Sequence, residues 1–192
     1  YQEASEAAVL ENKNCMVRIA TGGGKTAIMA SVCAQLNGYN RVIFVRRQML
    51  LLQTIEVFER ELGVKVGQLG AGVIDIQPLT IAMIPTVARA VDPKWKFKKE
   101  NDDDEDDKTN LNQQQKEDIA KYLAETECLI IDECHCMASD TAQLVAKAAS
   151  KARYRVGFSA TPWRDDGKDI LLSAVTGDRV VDIDASYLIE RN

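Results

Sequence analysis

Short apolar runs alternate with amphipathic stretches along this chain, and the spacing of hydrophobic positions switches between the two patterns. Apolar runs predict strands over residues 15–19, 41–45, 64–69, 79–84, 128–131, 154–158 and 180–183. Helical spacing predicts helices over 25–36, 48–62, 112–125, 141–151 and 168–175, with Gly38 near the C-terminal cap of the first and Gly63 stopping the second. Strands that alternate with crossover helices predict an α/β fold: a mostly parallel sheet with helices on both faces. From residue 94 to 110 periodicity disappears and charge dominates, which reads as a solvated loop that interrupts the lobe without dividing it. No internal repeat is present.

With 192 residues and 46% hydrophobic composition, the chain can bury one good core. We expect one lobe over residues 1–184, carrying the charged insertion at about 94–110, and a connecting segment over 185–192. Because it opens on Tyr1 rather than Met, we expect the chain to be part of a longer polypeptide. No apolar run approaches the roughly 18 residues of a membrane span, and no signal-peptide pattern opens the sequence, so the expectation is a soluble lobe with no membrane partner. Cys15, Cys33, Cys128, Cys134 and Cys136 form an odd set without paired spacing, as in a reducing compartment, either cytoplasm or nucleus. Cys134-His135-Cys136 lacks the second ligand pair of a structural zinc site.

The formal charge of −5 argues against nucleic acid only globally, because seven acids lie between Glu100 and Asp107. Lys94, Lys96, Lys98, Lys99 and Lys108 flank that run, so any phosphate-binding surface must be local. The run is either a solvated, solubilising loop or a device whose lysines touch a polynucleotide while its acids repel misplaced strands.

Thr21-Gly22-Gly23-Gly24-Lys25-Thr26 joins a glycine loop to a lysine and a hydroxyl. Backbone N–H groups at the three glycines can curve round phosphate oxygens, Lys25 can reach the β and γ phosphates, and the Thr26 hydroxyl can ligate Mg²⁺. The ligand expected is Mg-ATP, although Ile19 stands where the strict P-loop pattern has glycine. The apolar run Leu129-Ile130-Ile131 leads directly into Asp132-Glu133, which a parallel sheet places at the strand's C-terminal edge beside the glycine loop. Asp132 can then hold Mg²⁺ and Glu133 can orient and deprotonate the attacking water. Read alone, the pair is equally an acidic turn after a core strand.

The order of these motifs resembles the first RecA-like lobe of superfamily 2 helicases over nearly the whole chain. Tyr1-Gln2 resembles the end of the adenine-reading Q motif, residues 20–26 motif I, and residues 44–47 through Gln53 motif Ia. Residues 80–89 occupy the place of motif Ib, Asp132-Glu133-Cys134-His135 resembles the DEAH form of motif II with cysteine for alanine, and Ser159-Ala160-Thr161 resembles motif III. Trp163-Arg164-Asp165-Asp166-Gly167 is similar to the branch holding XPB-like helicases, restriction-enzyme motor subunits and phage recombination helicases. Trp163 there either anchors a turn or stacks on a nucleotide.

The resemblance implies a P-loop NTPase fold of RecA type, with Gln2 pairing adenine. It implies Arg47, Gln53, Thr86 and Arg89 on the face that meets nucleic acid. It also implies His135, Ser159 and Thr161 as the link between hydrolysis and that grip. The expected activity is a DNA helicase or translocase acting on single-stranded, duplex or branched DNA, with a duplex-pumping motor or an RNA helicase as alternatives. The expected partner is a second RecA-like domain, so a monomeric fragment of this length should hydrolyse ATP hardly at all.

Overall fold

The computed structural model describes residues 1–97, 107–137, 140–161 and 169–189. Trp163 to Gly167, Lys98, Lys99 and the acids from Glu100 to Asp106 lie outside the described residues. The described strands are β1 (Asn14–Ile19), β2 (Arg41–Val45), β3 (Gly67–Gly70), β4 (Val73–Asp75), β5 (Leu79–Met83), β6 (Cys128–Ile131), β7 (Tyr154–Ser159) and β8 (Arg179–Ile183). They form one sheet in the order β4-β3-β5-β2-β6-β7-β1-β8. Every neighbouring pair is parallel except β3 with β4. The described helices are α1 (Gln2–Asn12), α2 (Lys25–Gln35), α3 (Gln48–Leu62), α4 (Ile84–Val91), α5 (Gln113–Glu125), α6 (Asp140–Ala148), α7 (Asp169–Thr176) and α8 (Ala185–Ile189).

Strand alternation divides the core into two layers. On β2, Ile43 and Val45 face one layer while Val42 and Phe44 face the other, and all four are fully buried. On β6, Cys128 and Ile130 join the first layer, Leu129 and Ile131 the second. Helices α1, α2 and α3 supply the first layer with Val9, Met29, Leu51 and Phe58; α4, α5 and α6 supply the second with Val87, Leu123 and Val145. Central strands buried on both faces read as continuous apolar runs, which is why β2 and β6 carry no alternation in the sequence. Each large apolar side chain sealed this way contributes about 1.5–3 kcal/mol.

The bounds of β2, α3 and β6 match the sequence expectation, and Gly63 ends α3 in the left-handed region at φ 64. Elsewhere the structure differs. The strand expected over 64–69 is instead β3, turned into the antiparallel β4 by Gly70, Ala71 and Gly72, all at positive φ. Residue 84, expected to end a strand, opens α4, with Pro85 in its first turn. That helix is only eight residues long and apolar apart from Thr86 and Arg89, too short for helical spacing to stand out in sequence. The helix expected over 141–151 stops at Ala148, where the Arg155 guanidinium donates to the carbonyls of Ala146 at 2.8 Å and Ala149 at 2.7 Å. Residues 185–189, expected as a connecting segment, are helical.

The order β6-β7-β1 matters most for function. Three parallel neighbours deliver Asp132, Ser159 and the glycine loop to the same sheet edge.

Candidate active site

At the end of β1 the chain turns where the Gly23 N–H donates to the Ala20 carbonyl at 3.0 Å. Gly22 at φ 82 and Gly24 at φ 76 lie in the left-handed region, where a side chain would add strain. Helix α2 begins at Lys25 without a side-chain cap, and the Ile28 N–H makes its bond to the Gly24 carbonyl at 3.1 Å. The N–H groups of Lys25, Thr26 and Ala27 therefore have no intrahelical acceptor, and with the helix dipole they form an anion-binding end. Thr26 is half-buried on this first turn, whereas Thr21 and Gly22 are exposed.

The first residues of the chain cover this loop. The Tyr1 hydroxyl donates to the Gly23 carbonyl at 2.8 Å. A Cβ on Gly24 would stand 2.5 Å from Nε2 of Gln2, so the bare glycine is what lets that amide rest on the loop. Gln2 thus sits beside the glycine loop. The Tyr1 hydroxyl contact was not anticipated, because nothing in a terminal Tyr-Gln pair reveals which carbonyl its phenol reaches.

From β6 come the acids. The Asp132 N–H continues the ladder by donating to the Phe44 carbonyl at 3.0 Å, and the Glu133 N–H donates to Asp132 Oδ1 at 3.0 Å. Glu133 sits at φ 50, a left-handed backbone that non-glycine residues adopt rarely and at a cost of about 1–3 kcal/mol. Lys25 Nζ lies 2.5 Å from Glu133 Oε1. Burial pushes the Asp132 carboxyl up to about 6, and the Glu133 charge adds to that; Lys25 and the Glu133 N–H oppose it. Two carboxylates thus face one lysine.

His135 extends the chain of contacts. Its Nδ1 is 3.4 Å from Glu133 Oε2 and 2.7 Å from the Ser159 hydroxyl, which also accepts the Thr161 N–H at 3.1 Å. Ser159 is fully buried at the end of β7. Lys25, Glu133, His135, Ser159 and Thr161 are therefore linked by consecutive contacts across three strand ends.

The residues expected to meet nucleic acid are not brought together in this way. Arg47 is the half-buried N-cap of α3 and Gln53 is exposed on the same helix. Thr86 is fully buried in α4, and its hydroxyl donates to the Asp107 carboxylate. In this arrangement it presents nothing to a ligand. Arg89 Nη1 donates to the Asp107 carbonyl, and the guanidinium lies over the Trp95 ring, 5.5 Å from its centroid. Asp107 is thus a tether; in sequence it is only the last of seven clustered acids.

A glycine loop and a strand-end acid pair meeting on one edge of a parallel sheet define a P-loop lobe of RecA type, and the family match and relatives that follow support the N-terminal lobe of a superfamily 2 helicase. The chain belongs to the family described as "Type III restriction enzyme, res subunit", which it matches over residues 1–164. It is 28% identical over 174 residues to the protein named "Putative helicase 109L" of Invertebrate iridescent virus 3, covering 90% of this chain and 46% of that one. Among solved structures it is similar to the UvsW helicase of bacteriophage T4, with a TM-score of 0.70 at 14% identity, covering 94% of this chain and 58% of the other. It is also similar to a hypothetical ATP-dependent RNA helicase from Sulfolobus tokodaii, with a TM-score of 0.68 at 18% identity, covering 96% and 51%. The chain spans about half the length of these relatives. No described helix is long and apolar enough to cross a membrane.

Proposed function

We propose that Lys25, Thr26, Asp132 and Glu133 bind and hydrolyse Mg-ATP, and that this lobe drives a DNA helicase or translocase together with a second RecA-like domain. One observation carries the reading: the Lys25 ammonium and the Glu133 carboxylate meet at 2.5 Å on the sheet edge that also presents Asp132.

The metal fits this site. Two carboxylates against one lysine leave an excess of negative charge that a divalent cation would offset, and such a cation would also favour ionisation of the Asp132 carboxyl, which burial first and the Glu133 charge second push up. Among the described residues no group of three or more His, Cys, Asp or Glu could cage a metal ion. That suits Mg²⁺, which needs few protein ligands and would be held here by the Thr26 hydroxyl and the Asp132 carboxylate. When bound, it would supply positive charge against the triphosphate.

The chain's own residues supply the rest. The first-turn N–H groups of α2 and the loop through Thr21, Gly22, Gly23 and Gly24 receive the phosphates, and the Gln2 amide pairs adenine. Lys25 exchanges Glu133 for the γ-phosphate, which frees the Glu133 carboxylate to hold a water and take its proton. Because Glu133 Oε2 also faces His135, the change reaches Ser159 and Thr161 and hence the end of β7. Arg47, Gln53 and Arg89 are the proposed phosphate contacts to DNA, and burial removes Thr86 from that group.

ATP turnover of the two-lobed parent, measured with single-stranded DNA, duplex DNA and RNA side by side, tests this. DNA should stimulate it, and Lys25→Ala should abolish it. Near-normal turnover in Lys25→Ala overturns the site assignment, and stimulation by RNA alone makes the protein an RNA helicase. Stimulation by duplex without strand displacement makes it a duplex-translocating motor. The lobe by itself should be slower by on the order of 10³, for want of a cation supplied in trans to the transition state.

A further inference from the structure

Away from the ATP edge, residues 107–111 run as a strap between two hollows. One, of about 350 Å³, is bounded by Arg89, Trp95, Lys108 and Lys116. The other, of about 650 Å³, is bounded by Gln48, Gly72, Met83 and the same Lys108. Both include Thr109 and Asn110, so the strap is their common wall. Gln48 follows Arg47 at the start of α3, so the two hollows together connect the region of Arg47 with that of Arg89.

The chemistry of this trough is one-sided. Among the described residues three cations and no carboxylate line the first hollow, in a chain whose formal charge is −5. The one acid of the second, Asp107, turns its carboxylate inward, where the hydroxyls of Thr86 and Thr109 donate to it. Local positive potential of this kind attracts a polyanion whatever the net charge.

The walls are also fixed in advance. Asp107 pins one side of Lys108, and on the other the Thr109 hydroxyl accepts the Gly72 N–H at 2.8 Å. The Trp95 indole N–H donates to the Thr141 hydroxyl at 3.0 Å while the Trp95 ring supports Arg89. Lys116 lies in the first turn of α5, whose Asn112–Gln115 capping box closes the helix end. The Arg89 guanidinium, held on such supports, loses little freedom on binding, and the backbone that carries Lys108 and Lys116 is fixed beside it.

We infer that Lys108 and Lys116 are phosphate contacts of a polynucleotide track that crosses the strap between Arg47 and Arg89. The inference rests on the proposed nucleic-acid-dependent function and extends it to residues outside the helicase motifs. An elongated trough rich in donors and poor in acceptors matches a phosphodiester backbone, which asks for spaced positive charge and no base recognition.

Fluorescence anisotropy of a labelled single-stranded oligodeoxynucleotide, titrated with the 192-residue chain over a range of salt, tests the track. The variant Lys108→Ala/Lys116→Ala should bind about tenfold more weakly at low salt, and its log–log salt slope should fall by about 1.4, or 0.7 for each lost contact. Affinity for a fluorescent ATP analogue and the unfolding midpoint should not change. Lys151→Ala, which removes an exposed lysine paired with Glu125 at 2.7 Å, should behave as wild type. An unchanged slope in the double variant, or an equal loss in Lys151→Ala, overturns the track and leaves the proposed function standing. Competition by polyglutamate as effective as by DNA also overturns it, in favour of an acidic polypeptide. Failure of the wild-type chain to bind any oligonucleotide overturns the track, while the proposed function is decided separately by the turnover of the two-lobed parent.

Discussion

Asp132→Asn should make the nucleotide-free lobe more stable at neutral pH. The carboxyl titrates at about 6 in the folded chain against 3.8 for an ordinary aspartate, chiefly because it is buried. At about 1.36 kcal/mol per pH unit, keeping it ionised at pH 7 costs about 3 kcal/mol, and some water access to this half-buried group brings the expectation to about 2–3 kcal/mol. Because the folded value lies above the unfolded one, the cost is present in full above pH 6. It shrinks as pH falls toward 3.8 and disappears below that. Asparagine keeps an oxygen to accept the Glu133 N–H, so the substitution removes charge and little else. Urea unfolding of both proteins at pH 7 and pH 5, without nucleotide or metal, reads the effect directly. The gain from Asp132→Asn should be about 2–3 kcal/mol at pH 7 and about half of that at pH 5. A loss of stability, or the same gain at both pH values, would refute the claim that an uncompensated buried carboxylate stands in this site.

Three further outcomes follow from the geometry. Gly24→Ala places a Cβ 2.5 Å from Gln2 Nε2 and forces alanine to φ 76, so it should cost about 1–2 kcal/mol in thermal unfolding and weaken nucleotide binding in a fluorescence titration. Ser159→Ala removes the hydroxyl between His135 and the Thr161 N–H; in the two-lobed protein it should spare basal ATP turnover while reducing stimulation by DNA, and equal loss of both rates would count against a coupling role. Asp107→Ala leaves the buried Thr86 hydroxyl without its acceptor, so chemical denaturation should show a loss of about 1–3 kcal/mol.

The strands and helices of this lobe were legible wherever one physical signal dominated. Burial on both faces made β2 and β6 continuous apolar runs, and Gly63 fixed the end of α3. The same logic failed at α4, whose eight residues are too few for helical spacing to stand out, and at β4, a three-residue strand defined by the turn before it. The residues of the proposed ATP site were legible as a cluster because they lie in short contiguous motifs that a parallel sheet must bring to one edge. What sequence did not convey is pairwise: the Lys25–Glu133 contact, the left-handed backbone of Glu133, and Tyr1 on the Gly23 carbonyl. Thr86 and Asp107 show the same limit, since a threonine in a motif and an acid in a charged run look exposed until the fold pairs them.

The central claim is that Lys25, Asp132 and Glu133 converge on one metal-triphosphate, and nucleotide affinity of single variants measures it most directly. Titration with a fluorescent, non-hydrolysable ATP analogue, with and without Mg²⁺, should show Glu133→Gln binding at least as tightly as wild type, because Lys25 is released from its 2.5 Å partner. Lys25→Ala should lose binding under both conditions, and Asp132→Asn should lose mainly the Mg²⁺-dependent part. Equal collapse of affinity in Glu133→Gln and Lys25→Ala, or Mg²⁺ dependence unchanged in Asp132→Asn, would contradict the account.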